Sequence, residues 1–396
     1  MVTSTSRSKS MDLDSKTLKT LTVAVARKLV KNQPDWIILN GLTRISDKVA
    51  EVLGSGAGSL YLEGLSDLSP RAAAALARRK WAIGNFLSPR KFNDLLLNGL
   101  PSISVETAEA LAGYEGYLML DGLAQLSDDV AAALAKFKGT NLDLDGLQIL
   151  SNKGLATLAA AGMERLSFGF KSISEEQAEI LSAYKGALGL DVHRLSAPVA
   201  AILGRRKGRL GLECLRALPA DVARGLARHR GALDLNGLER ISAKAAWQLA
   251  RHKGDLELCG VEKLSRAAAK ALATVKWAVE LHGLETITPG VLAELAKRPE
   301  KLLLSITTLT DGVAKVLSRW PRPVSIYSVT DLTDRQIGIL LPMYAARRLI
   351  LSPHARQKME TALREARNRG RRPFRANKKK RQHAQGAHRA DKERRA

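Results

Sequence analysis

Apolar residues along this chain change their spacing at regular intervals. Between 118 and 139 the line LMLDGLAQLSDDVAAALAKFKG opens on alternation, Leu118 and Leu120, then shifts to Ala131, Leu134 and Ala135. Alternation sends successive side chains to opposite faces of a strand, whereas i, i+3, i+4 gathers them on one face of a helix. The same line returns at 233–254 as LDLNGLERISAKAAWQLARHKG. Its general form is L-x-L-x-G-L-x-x-[LI]-[ST] followed by x-x-x-A-x-x-L-A-x-x-[KR]-G, a strand, a turn and a short helix.

The apolar residue before the Ser or Thr serves as a ruler. It falls at Ile45, Leu68, Ile103, Leu126, Leu150, Ile173, Leu195, Leu218, Ile241, Leu264, Ile287, Leu309 and Leu332, about thirteen repeats. The gaps are 22–24 residues except for one of 35, which holds Trp81–Asp94, a loop or a decayed repeat. Leu21-Thr22 reads as a half-unit capping the array at its N-terminal side.

Local signals set the boundaries of each element. Ser46, Ser127 and Ser174 stand where a helix N-cap belongs, and Asp128, Asp129, Glu175 and Glu176 fill first turns, where the helix dipole favours acid. Ser174 with Gln177 fits a capping box. Asn40-Gly41, Asp121-Gly122 and Asn236-Gly237 read as tight turns using positive φ. Gly139, Gly186, Gly208, Gly231 and Gly254 read as helix C-caps.

A unit this small cannot bury its own apolar face, so the units must stack. The expectation is an α/β solenoid over 18–351 with a parallel sheet on one face and short helices on the other. Residues 1–17 are expected to be a disordered N-terminus and 352–396 a disordered basic tail. This grammar resembles the leucine-rich-repeat family, in particular bacterial short-repeat variants, over most of the chain. The resemblance implies protein recognition on the strand-bearing face and no catalytic residues. One departure stands out: the Asn or Cys that normally forms a ladder after the strand is replaced by an x-G-L turn.

Charge sharpens the picture. The chain carries +24, and residues 353–396 alone hold sixteen Lys or Arg against four Asp or Glu. From Arg367 onward almost nothing is apolar, so a core is out of reach. Arg371, Arg372, Arg375, Lys378, Lys379, Lys380 and Arg381 are the expected polyanion contacts, for RNA, DNA or another polyanion, with Phe374 placed to stack on a base. Alternatively the tail solubilises the chain or folds back on its acidic face.

That acidic face is read from the outward strand positions Glu63, Asp121, Asp143, Asp145, Asp191, Glu213, Asp234, Glu257 and Glu280, with no Lys or Arg at equivalent places. They suit a basic protein partner; equally, Asp before Gly can simply serve the turn. The helix ends carry Arg78-Arg79-Lys80, Arg205-Arg206-Lys207, Arg228-His229-Arg230 and Arg251-His252-Lys253, either a phosphate-binding ridge or ordinary dipole compensation.

Chemistry of other kinds finds little support. Gly54–Gly58 lacks the Gly-Lys-Ser/Thr of a phosphate loop, and C-x-x-C, H-E-x-x-H and G-x-S-x-G are missing. Cys214 and Cys259 lie two repeats apart, roughly 10 Å at strand spacing, and read as reduced thiols. No apolar h-region and no membrane span are evident. The expectation is a cytoplasmic, non-catalytic interaction scaffold with no cofactor, metal or small-molecule substrate, the polybasic tail serving as anchor. A nucleic-acid-associated role using tail and ridge is the alternative.

Overall fold

The computed structural model describes residues 10–12, 18–32, 35–80, 82–83, 91–284, 286–298, 302–320, 324–326, 328–329 and 331–371. The chain divides into two compact units, Met1–Leu304 and Ser305–Ala396.

In the first unit every strand of the repeat pairs in parallel with the next in sequence, from Ser10–Asp12 and Trp36–Ile38 through Asn141–Leu144 to Leu302–Leu304. Both leucines of L-x-L point into the core, as does the one after the turn: Leu118, Leu120 and Leu123 are all 0% exposed. Helices of seven to nine residues run between the strands. Thr22, Ser46, Ser69, Ser104, Ser127 and Ser151 each accept the backbone N–H three residues on, as a cap should. The Ser174–Gln177 capping box forms. Pro219, at the same position, leaves helix Ala220–Leu226 without a side-chain cap.

The long gap is an insertion and not a repeat. Ala82–Ile83 and Lys91–Phe92 form an antiparallel pair outside the main sheet. Strand Asp94–Leu96 then rejoins Ser59–Tyr61 with Leu60 opposite Leu95. The parallel ladder passes the insertion unbroken.

Three expectations change. The glycines after the helices are not C-caps: helix Asp128–Leu134 ends on Ala135, and Gly139 comes later. A Cβ on Gly139 would lie 2.2 Å from the Gly116 carbonyl, and one on Gly231 2.0 Å from that of Gly208. These glycines let neighbouring repeats touch backbone to backbone. The turn glycines obey the same rule: a Cβ on Gly146 would lie 1.6 Å from the Asp121 carbonyl, with no positive φ there.

The ladder expected to be missing is present, which is the second change. Asn40 Oδ1 accepts the Glu63 backbone N–H at 3.2 Å, Asn98 that of Asp121 at 3.2 Å, Asp121 that of Asp145 at 3.0 Å and Asn236 that of Cys259 at 2.7 Å. In these four repeats the Asn or Asp before the glycine therefore does the work of a ladder residue.

Third, order extends further at both ends. Ser10–Asp12 pairs with Trp36–Ile38, since a parallel edge offers unpaired backbone groups to any extended segment. In the second unit, strands Val324–Ile326 and Leu349–Leu351 pair in parallel beside helices Asp311–Ser318 and Asp334–Ala345. Helix Pro353–Arg371 follows, on nineteen residues near the start of the expected tail. Ala355 and Met359, one turn apart, bury fully, and Ser352 accepts the Ala355 N–H at 3.3 Å. A Ser-Pro pair at N-cap and N1 was its signal in the sequence.

Candidate recognition face

The open side of a parallel sheet shows the residues that alternate with the core leucines. Register sorts them into rows. One row, lying between the two core positions, runs Ile38, Tyr61, Leu96, Met119, Asp143, with each residue opposite the next. Its first four members are apolar and half-buried. The sequence carried the signal, since W-I-I-L, L-Y-L, L-L-L and L-M-L place apolar residues at outward positions. Charge alone, which picks out the acidic outward positions, passes over them.

Farther along, the face turns acidic but is not purely so. Arg165 aligns with Asn141 and Ala187, and Arg209 precedes Leu210, so both stand in the neighbouring outward row and not at positions equivalent to the listed acids. The Arg209 guanidinium donates to Asp234 at 2.9 Å and to both Glu257 carboxylate oxygens at 2.5 and 2.7 Å. Arg165 stands 3.6 Å from Asp143, which also accepts the Tyr117 hydroxyl. Asp143 and Asp234, expected to project outward, are each 2% exposed. Burial pushes both carboxyls up to about 6. For Asp143 the Tyr117 hydroxyl and Arg165 work against that rise.

Glu63, Asp121, Asp145, Asp191 and Glu213 remain without an ion pair among the described residues. Ser167 donates to Asp145, and the Cys214 thiol to Asp191. Burial raises the Asp121 and Asp191 carboxyls, and neighbouring carboxylates add to the rise, Asp145 first among them at Asp191. Acid is therefore stacked against acid here. Glu280 meets His282 at 3.6 Å. Cys214 and Cys259 are free thiols.

At the helix ends, the middle residue of each basic triplet turns inward. Arg79, Arg206, His229 and His252 are 3%, 1%, 0% and 3% exposed. Arg79 donates to the carbonyls of Leu53, Ala57 and Gly58, and Arg206 to those of Leu181, Tyr184 and Gly186. These carbonyls lie in the last turn of the preceding repeat's helix and in the segment that follows it, where the regular intrahelical ladder runs out. His229 and His252 stack with ring centroids 5.7 Å apart, and burial, first of all, lowers the His229 imidazole to about 4. The flanking residues stay exposed: Lys185, Lys207, Arg230, Lys253 and Lys276 occupy one position in five consecutive repeats. Of the polyanion contacts expected in the tail, Arg371 ends the last helix, whereas Arg372, Arg375, Lys378, Lys379, Lys380 and Arg381 lie outside the described residues. Among the described residues no helix is long and apolar enough to cross a membrane.

No protein-family model matches the chain, and no curated protein matches it. Among solved structures it is similar to an internalin from Listeria monocytogenes, 17% identical over 77% of this chain and 82% of that one, with a TM-score of 0.38. The chain's own geometry defines the fold: a capped strand–helix unit near 23 residues long, an Asn and Asp ladder, and strands paired in parallel in chain order make it an α/β repeat solenoid.

Proposed function

We propose that the chain is a non-catalytic scaffold that binds another protein on its strand face. The row Ile38, Tyr61, Leu96, Met119 supports this reading, because an aligned apolar row on an open sheet face has no partner within its own unit. It matches the apolar, aromatic and Met-rich centre of protein interfaces. The carboxylates Asp121, Asp145, Asp191 and Glu213, which have no ion pair among the described residues, would select a basic segment beside it. Asp143, Asp234 and Glu257 are committed to Arg165 and Arg209 and take the lesser part.

Capture from native lysate after nuclease treatment tests the proposal. A partner retained by the wild type should be lost at least tenfold by Tyr61→Ser with Met119→Ser, and weakened by Asp191→Lys with Glu213→Lys. Equal capture by both variants overturns it.

The exposed row Lys185, Lys207, Arg230, Lys253, Lys276 favours a second reading, polyanion binding along the helix-end edge. Counterion release makes such binding steeply salt-dependent. In the anchor reading the basic segment beyond Arg371 carries this binding. Deleting 372–396 should then remove polyanion affinity, whereas survival of the salt slope, with its loss in Lys207→Glu with Lys253→Glu, assigns it to the row.

A further inference from the structure

Glu257-Leu258-Cys259-Gly260 and Glu280-Leu281-His282-Gly283 are the same line of the repeat, 23 residues apart. Residues i and i+2 of a strand project to one side, so Glu280 and His282 share the open face. Cys259 holds the position in its repeat that His282 holds in the next, and adjacent strands stand about 4.8 Å apart. Repeat geometry thus brings a thiol, a carboxylate and an imidazole together with no long loop between them.

The structure shows them there. The Cys259 sulfur, a Glu280 carboxylate oxygen and an imidazole nitrogen of His282 all lie within 4.8 Å of one another. Among the described residues no other group of three or more His, Cys, Asp and Glu side chains does so. Cys259 and Glu280 are half-buried and His282 is exposed, so the cluster is open to solvent on one side. Its backbone is held firmly: Glu257 pairs with Glu280, the Leu258 N–H reaches the Glu280 carbonyl at 3.0 Å, and the Cys259 N–H is taken by Asn236 at 2.7 Å.

We propose that Cys259, Glu280 and His282 bind a borderline divalent cation, Zn2+ foremost, as three protein ligands with a fourth position open on the strand face. Sulfur and imidazole nitrogen select zinc-like ions, whereas Ca2+ and Mg2+ require oxygen sets. Metal–ligand bonds of about 2.0–2.3 Å give a tetrahedron with edges of about 3.3–3.7 Å. Closing from the present separations takes about 1 Å of side-chain rotation over a fixed backbone. On binding, the thiol releases its proton to buffer and the sulfur bonds the metal as thiolate. Glu257 and Asp234 on the neighbouring strands add negative field, which Arg209 partly offsets. Water, or a side chain of a bound partner, completes the fourth position.

The test uses the full chain with Zn2+ in competition against a chromophoric chelator, and Co2+ as a spectroscopic probe. Wild type should bind one equivalent of each, and Co2+ should develop a thiolate-to-metal charge-transfer band. Cys259→Ser should abolish that band and weaken Zn2+ at least a hundredfold, with His282→Ala and Glu280→Gln each weakening it at least tenfold. Cys214→Ser should leave both readouts intact, since Cys214 lies outside the cluster. Far-ultraviolet circular dichroism checks that each variant is folded. Absence of the band in wild type, or its survival in Cys259→Ser, overturns the proposal.

Discussion

Replacing Arg206 by Met keeps an unbranched stem in the core and removes three donated hydrogen bonds. The guanidinium is 1% exposed, and burial pulls it down to about 10, so it stays charged at neutral pH. It donates to Leu181 at 2.5 Å, Tyr184 at 2.6 Å and Gly186 at 2.8 Å, and lies 5.4 Å from the centre of the Tyr184 ring. Hydrogen bonds to a charged group are worth about 1.5–3 kcal/mol each. Desolvating the guanidinium takes back several kcal/mol, as for any buried ion. What remains is the cost of leaving dry carbonyls at a helix end, and we expect Arg206→Met to destabilise by about 2–4 kcal/mol. Repeat arrays unfold locally, so amide hydrogen exchange is the sharper assay. Protection should fall in helix Glu175–Ala183 and in Ala197–Leu203 and hold in distant repeats. Arg205→Met is the control: it is exposed, its partner Glu179 is exposed, and its loss should stay within about 0.5 kcal/mol. Equal behaviour of the two neighbours would falsify the idea that the inward arginine caps the preceding helix.

Three further outcomes follow from the same geometry. Asp143 has a folded pKa of about 6, above its ordinary 3.8, so its ionisation opposes folding: stability falls as pH rises from about 4 through 6. Asp143→Asn should remove that slope and raise stability at pH 7 by up to about 3 kcal/mol, and an unchanged chemical-denaturation midpoint there contradicts this. His229 has the opposite sign. Its folded value of about 4 lies below 6.5, so stability is lost as pH falls through that window; His229→Phe, which echoes Phe137 in the same column, should flatten the loss in pH-dependent melting. Pro219→Ser supplies the cap that helix Ala220–Leu226 lacks and should stabilise by about 1 kcal/mol in denaturant unfolding, with slower exchange in that helix.

The repeat was legible because its apolar positions obey two simple periods, and because Ser and Thr mark nearly every helix start. The hydrogen-bond ladder was legible in principle, since Asn40, Asn98 and Asn236 sit one residue before glycine. It went unread because the residue before each glycine was assigned to the x-G-L turn alone. What lay beyond sequence patterning was which outward side chain a neighbour neutralises. Arg209 reaches one repeat to Asp234 and two to Glu257, a diagonal contact no one-dimensional ruler reports. Arg206 likewise reads as one cation in a basic triplet, and only the stack shows that its guanidinium turns inward. The pairing of Cys259 with His282 was within reach, because the ruler that aligned the repeats also places them side by side.

The antiparallel pair between 82 and 92 has a practical consequence. Strand Asp94–Leu96 docks on Ser59–Tyr61 as though those residues were not there, with Leu60 still facing Leu95. The array therefore admits extra sequence at this junction at no cost in register, and here a reporter or epitope could be spliced in without disturbing either flank. The backbone-to-backbone glycine contacts tolerate no such freedom elsewhere. Beyond the residue or so by which the 22–24-residue units differ, change within the array comes as whole units, duplicated or deleted, and the lengthening or shortening of such a chain is close to quantised.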